Sequence, residues 1–354
     1  MTAKRCNIAF DCEKMKYPNT GIFYFCLNLG AALQHEIDPI RERLFFYTPK
    51  NNPAPFGPNA LYRGQRFWHK FYNSASRQMD LWQCNYQLTN YLPLERKTKM
   101  VLTIHDFNFL VDTQKEEPQK VKQYLKKAQA TIDRADHVVC ISEYTLKTVA
   151  QNIGLNRKKI EVIHNGSHVK EFPGFDRPKY KPNKPFLFSI GIFFPKKNFH
   201  VLPALLTNND YELILAGDRK PEYESVILEH AALHHVADRV KITGPISEED
   251  KYWYYKNCAA FVFPSVAEGF GLPVVEAMFF GKPVFLSPST SLPEIGGDLA
   301  FYFNSFEPDS MRAVFEHGMN KVDRQHEDLL KQRARQFTWQ KAAQSYLRIY
   351  RELD

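Results

Sequence analysis

Two glutamates, Glu268 and Glu276, stand with seven residues between them in the segment FVFPSVAEGFGLPVVEAMFFGKPV, residues 261–284. The segment opens as a short apolar run, as a buried strand does, and passes into a turn containing Gly269, Phe270, Gly271 and Leu272. Glycines there let backbone approach a ligand closely. Pro273 suits the first turn of a helix, where its missing N–H is not needed, and that helix runs to about Phe280 and stops at Gly281. The N–H groups at the start of such a helix attract an anion such as a diphosphate. Carboxylates beside a phosphate site grip hydroxyls. One of the two glutamates could hold a sugar and the other a ribose.

The elements around this turn follow a βαβα rhythm. Candidate strands lie at 7–10, 44–47, 99–104, 137–141 and 161–163, then at 185–190, 211–216, 240–242, 260–263, 283–286 and 299–303. Helical stretches between them predict an α/β fold with parallel sheets covered on both faces. The stretch 165–184 is rich in turn formers, with prolines at 173, 178 and 182, and reads as a linker. Its position predicts a Rossmann-like domain over 1–165, a linker over 166–184 and a second such domain over 185–335. A helix over 336–354 then returns to the first domain through Trp339 and Tyr346. Doubly wound domains bind ligands outside the C-terminal ends of their strands.

A chain of 354 residues accommodates two domains. Its six cysteines form no CxxC pair, which argues against a zinc site or disulfide framework. No run of apolar residues is long enough to span a bilayer, and the N-terminus does not resemble a signal peptide. The chain is therefore expected in the cytoplasm. The net charge of +8 suits anionic partners, namely nucleotides, phospholipid surfaces or nucleic acid. No recognised nucleic-acid module accompanies it, so no nucleic-acid partner is expected. Two basic, aromatic stretches, 61–82 and 119–127, are candidates for an anionic membrane surface or a lipid-linked acceptor, against the alternative of a solvated face beside a packed core.

The stretch EGFGLPVVEAM resembles the paired-glutamate motif of glycosyltransferase family 4, retaining enzymes of the two-Rossmann GT-B fold. The resemblance extends to TGIFYFCLNLGAAL at 20–33, TIHDFNF at 103–109, SIGIFFPKKNF at 189–199 and SLPEIGGDLAFYF at 291–303. It implies that Glu268 binds donor-sugar hydroxyls and Glu276 the ribose. It implies that the backbone from Gly269 through Phe270 and Gly271 to Leu272 contacts sugar and phosphate, and that Lys197 neutralises the leaving diphosphate. Gly21 would let a loop of the first domain close on the phosphates. His105 would line the sugar and acceptor side of the site, and His105 with Asp106 would manage the acceptor proton.

One departure stands out. Ile192 occupies a position where many family members carry arginine, and Lys196 stands where a subset carries one. Lysine is a point charge and not a bidentate fork, so the second cation is of a different kind. This lysine-pair subtype resembles mannosyltransferases of surface-polysaccharide and lipopolysaccharide assembly. The resemblance implies hexose transfer from a nucleotide-diphosphate sugar, with a lean to GDP-mannose, onto a glycan or lipid-linked acceptor, peripheral on the inner face of the membrane. No Asp-x-Asp occurs in the chain, and metal-independent transfer without a cofactor is the corresponding expectation. A sugar-nucleotide-binding pseudoenzyme and another GT-B enzyme such as an epimerase are the alternatives.

Overall fold

The computed structural model describes residues 5–18, 20–49, 55–110, 118–155, 158–167 and 169–354. Residues 1–4, 19, 50–54, 111–117 and 156–157 of the domain read over 1–165, and residue 168 of the linker, lie outside the described residues. The chain divides into two compact units, one of Met1–Gly166 with Phe337–Asp354 and one of Ser167–Gln336.

The first unit begins with β1 (Cys6–Asp11), α1 (Gly21–Glu36), β2 (Glu42–Thr48), β3 (Leu61–Gly64) and β4 (Leu81–Cys84). It continues with β5 (Lys99–Ile104), α2 (Pro118–Arg134), β6 (His137–Cys140), α3 (Glu143–Asn152) and β7 (Lys159–Val162). Seven strands pair in the order β3-β2-β1-β4-β5-β6-β7, and every pairing is parallel. Two of these strands go beyond the sequence reading. β4 is wholly buried and its Gln83 donates to Thr103, so a polar residue interrupts the apolar signal. β3 is a largely exposed edge strand with no apolar alternation to mark it.

The second unit contains β8 (Phe186–Ile190), β9 (Glu212–Ala216), α4 (Pro221–Leu233), β10 (Val240–Gly244), α5 (Glu248–Asn257) and β11 (Ala260–Phe263). Then come α6 (Leu272–Phe279), β12 (Val284–Leu286), α7 (Leu292–Gly296), β13 (Phe301–Tyr302), α8 (Pro308–Lys321) and α9 (Arg324–Ala334). Its six parallel strands run β10-β9-β8-β11-β12-β13. The stretch read as a linker has no long helix or strand, yet much of it is fastened to this unit. Asp176 accepts from the indole N–H of Trp253 at 3.1 Å, the Lys179 N–H donates to Asp250 at 2.7 Å, and the Tyr180 N–H donates to the Tyr254 hydroxyl at 3.0 Å.

α10 (Trp339–Leu353) completes the first unit. Its buried stripe includes Trp339, Ala343, Tyr346, Leu347 and Tyr350, a helical spacing that puts one face inward. The Trp339 ring meets Phe25 of α1 edge-on at 5.7 Å. The Tyr346 hydroxyl bonds Thr103 at 2.8 Å and the Tyr350 hydroxyl donates to Gln83 at 2.9 Å, so the helix satisfies polar groups that β4 and β5 bury. All six cysteines are buried thiols. Among the described residues no helix is long and apolar enough to cross a membrane.

Candidate active site

In the second unit β8 and β11 are neighbours in space with β9 and β10 lying to one side and β12 and β13 to the other. Connections leaving such a pair diverge and open a crevice at the strand ends. Lys197 comes from the loop after β8 and Glu268 from the loop after β11. Their side chains meet there, Nζ to Oε1 at 2.5 Å, with 14% and 13% of the side chains exposed. The ammonium also sits over the Phe263 ring, 5.0 Å from its centre.

Local sequence fixes both loops. A short turn over Pro195–Lys197 ends at Asn198 in the left-handed conformation, φ 58°. The Lys196 carbonyl accepts from the Val266 N–H at 2.8 Å and from the Ser265 hydroxyl at 3.2 Å, which ties the two loops together. Lys196 thus secures the site through its backbone, and the residue is half-buried. On the other loop the Glu268 N–H donates to Thr290 Oγ1 at 3.0 Å. Ser291 Oγ donates to the carbonyls of Glu268 and Phe270, at 3.1 and 2.9 Å.

Gly271 caps α6 with φ +104°, and no side chain caps that helix end. A Cβ on Gly271 would also stand 2.9 Å from Leu292. Phe270 is buried, while Gly269 and Leu272 are half-buried on either side of the turn. The start of α6 is therefore approached through glycine backbone at Gly269 and Gly271 and has no capping side chain, which leaves its N–H groups for an anion.

Glu276 lies one turn inside α6 and is held from α5. Tyr255 donates to its Oε2 at 2.9 Å, and Lys251 lies 3.2 Å from its Oε1. Burial alone would pull the Lys251 ammonium down, but the carboxylates of Glu276 and Glu248 outweigh it and hold the group above its ordinary range. Burial, with Glu276 second, pushes the Tyr255 hydroxyl well up, so it stays protonated and donates.

The remaining expected residues belong to the first unit. Gly21 opens α1, is exposed, and has nothing within 4 Å of where a Cβ would stand. His105 follows β5 and is buried edge-on against Phe25 at 4.5 Å. Its Nε2 lies 3.0 Å from the Asn85 carbonyl, which can only accept, so Nε2 carries the proton. Burial lowers its pKa to about 4. Asp106 Oδ1 accepts from the Asn108 N–H at 2.9 Å, closing a turn, while its carbonyl accepts from Gln87 at 2.6 Å.

The family description "Glycosyltransferase Family 4" matches residues 22–171, and "Glycosyl transferases group 1" matches residues 174–335. Together they run through both units. The chain belongs to the family 4 glycosyltransferases. The O-antigen chain mannosyltransferase B of Escherichia coli is 25% identical over 98% of this chain and 100% of its own length. The serotype-specific mannosyltransferase WbdA of Escherichia coli is 30% identical over 62% of this chain and 29% of its own length. The sucrose-phosphate synthase of Thermosynechococcus elongatus superposes with a TM-score of 0.78 at 20% identity, covering 99% of both chains, and shares the GT-B fold.

Sequence reading of this glycosyltransferase missed several residues around the paired glutamates. Lys251 and Tyr255 stand four apart on α5, the spacing of one helix face, but they sit in the aromatic run KYWYYK, which reads as core. Thr290 left no signal beyond a polar cluster before Leu292. Gly217 was missed as well. It directly follows β9 with φ +128°, and a Cβ there would lie 2.0 Å from the Gly191 carbonyl oxygen.

Proposed function

We infer that this glycosyltransferase moves mannose from GDP-mannose to a glycan or lipid-linked acceptor in polysaccharide assembly, with retention of anomeric configuration and without a metal. The observation that supports this reading best is the Lys197–Glu268 pair at the β8/β11 crevice, one loop from the uncapped start of α6. The mannosyl assignment leans on the full-length relative from O-antigen assembly.

Glu268 beside an anion site would repel a diphosphate unless its charge were offset, and Lys197 offsets it. In the donor complex Lys197 and Lys196 face the diphosphate, and the Glu268 carboxylate accepts from sugar hydroxyls. As the sugar–phosphate bond breaks, negative charge grows on the diphosphate. The two ammonium groups and the α6 N–H groups stabilise that growth from fixed positions. Glu276, oriented by Tyr255 and Lys251, accepts from the ribose hydroxyls. Gly21 leaves its flank of α1 open for phosphate to approach backbone. His105 is neutral at physiological pH, so it positions sugar through hydrogen bonding and does not supply a cationic acid. The neutral His105 imidazole and the Asp106 carboxylate, neighbours in the chain, share the handling of the acceptor proton.

Thermal shifts with GDP, UDP, ADP, CDP and dTDP in chelator test the donor site, because a ligand of the folded state raises the melting temperature. GDP is expected to give the largest shift, and Glu276→Ala to remove it. Turnover of GDP-mannose in chelator, with the anomeric product read by NMR, completes the test. A shift from no diphosphate would sink the donor-site reading, and a shift from UDP alone would replace the donor.

A further inference from the structure

The connection from β3 to β4 displays aromatic rings that the core does not use. Phe67 is 70% exposed, Trp68 53%, Phe71 81% and Tyr72 47%. Large apolar groups clustered on a surface mark a place where something docks. These rings are not presented by a loose loop. His69, between them, is buried with its Nδ1 2.7 Å from the Tyr47 hydroxyl. The Asn73 side chain donates to the Leu92 carbonyl at 3.1 Å, and Ser76 Oγ accepts from the Leu94 N–H at 2.8 Å. Three anchors therefore hold the segment down while its rings point out.

The surroundings select the partner. Residues 61–79 contain Arg63, Arg66, Lys70 and Arg77 and no aspartate or glutamate. Arg66 lies over Trp68 at 5.2 Å, Lys70 over Phe67 at 4.9 Å and Arg77 over Tyr72 at 5.3 Å. Each of these three rings thus carries a cation on its face. Arg77, which donates to the Tyr72 hydroxyl, also lines a cavity of about 760 Å3 together with Arg43 and Arg63. Arg63 donates to the neutral Gln78 at 3.0 Å and Arg77 to the Tyr72 hydroxyl, so neither of these contacts cancels a charge. Asp80 and Asp354 also line the cavity, and the Asp80 carboxylate accepts from the Asn7 N–H at 2.9 Å.

Rings at the surface, cations on those rings and an arginine-lined cavity next to them match one chemistry, the headgroup region of an anionic bilayer. Aromatic rings favour that interface, and arginines favour its phosphates. The geometry points to Phe67, Trp68, Phe71 and Tyr72 as a wedge that seats the first unit on an anionic phospholipid surface, with Arg43, Arg63 and Arg77 receiving a headgroup phosphate in the adjoining cavity. The wedge is built from residues of the first unit, whereas Lys197, Glu268 and Glu276 belong to the second, and the inference stands whichever donor the enzyme uses.

Intrinsic fluorescence reads this directly, because Trp68 is exposed while Trp82, Trp253 and Trp339 are buried. The full chain is mixed with phosphatidylcholine vesicles and with vesicles that also contain phosphatidylglycerol. A blue shift and co-sedimentation are expected only with phosphatidylglycerol, falling steeply as salt is raised. Phe67→Ser/Phe71→Ser and Arg63→Gln/Arg77→Gln should each weaken vesicle binding about tenfold or more, the first through lost ring burial and the second through lost charge. Both should keep the melting temperature and the GDP-induced thermal shift of the unaltered chain. Absence of binding to phosphatidylglycerol vesicles at low salt would overturn the inference. So would equal binding to both vesicle types, or full binding by the Phe67→Ser/Phe71→Ser chain.

Discussion

Lys197 and Glu268 show how much one buried contact controls at the residue scale. Replacing Lys197 by alanine removes a cation from the anion site and leaves Glu268, with 13% of its side chain exposed, without its charge partner. The expected result is a loss of about 1–3 kcal/mol in stability. With it comes a fall in kcat of about 10²–10³, the scale of removing one charge-stabilising group. Urea unfolding and steady-state kinetics measure the two, and unchanged kcat would remove Lys197 from the reaction. His105 gives a pH signature. It is neutral in the folded chain down to about pH 4 but protonates near its ordinary 6.5 once unfolded. The unfolded chain therefore binds more protons in that window, and stability falls as pH drops from about 6.5 to about 4. The contribution is about 3 kcal/mol from His105 alone. Urea midpoints across that range should show the slope, and His105→Asn should flatten it. An identical slope in both chains would show that His105 is not the group responsible.

At the scale of elements, legibility followed how local each signal was. The bounds of β5 and β11 read directly from apolar runs, and α6 from Pro273 and Gly281. Lys197, Glu268 and Glu276 could be singled out as candidates for the same reason, since each sits in a short segment whose residue types are specific. β4 was not, because Gln83 inside it is satisfied by Thr103 and Tyr350, partners distant in sequence. Lys251 and Tyr255 were not, because what they serve lies on α6 and not on α5. Gly217 belongs with these, since the need for glycine comes from a crossing backbone. Gly217→Ala places a Cβ against the Gly191 carbonyl at a φ of +128°. Neither group is a flexible side-chain end, so the turns after β8 and β9 must separate. A loss of about 2–4 kcal/mol is expected, together with weakened diphosphate binding because Lys197 shares that turn. Gly21→Ala, with open space around it, is the matched control and should fold normally. A Gly217→Ala chain as stable as the control would refute the crossing.

For the whole molecule the decisive feature is that the second unit is inserted in the first. Phe337–Asp354 belong with Met1–Gly166, and 170 residues separate the two segments. Removing residues 337–354 takes Tyr350 from the Gln83 side-chain oxygen, leaves Thr103 only its bond from Gln83, and uncovers Phe25. Hydrogen exchange on the truncated chain should show β1, β4 and β5 losing protection while β8 to β12 keep theirs. Retained protection in β5 would show that α10 is dispensable.

The same insertion orders events during synthesis. The ribosome makes the strands of the first sheet early, yet α10 emerges only after the whole second unit. At ordinary rates the intervening 170 residues take on the order of ten to thirty seconds. For that interval the nascent chain holds an unfinished core with the face of α1 around Phe25 uncovered, while the later domain is free to fold first. The half that starts first closes last, and the period of greatest exposure to chaperones and proteases falls on the N-terminal domain.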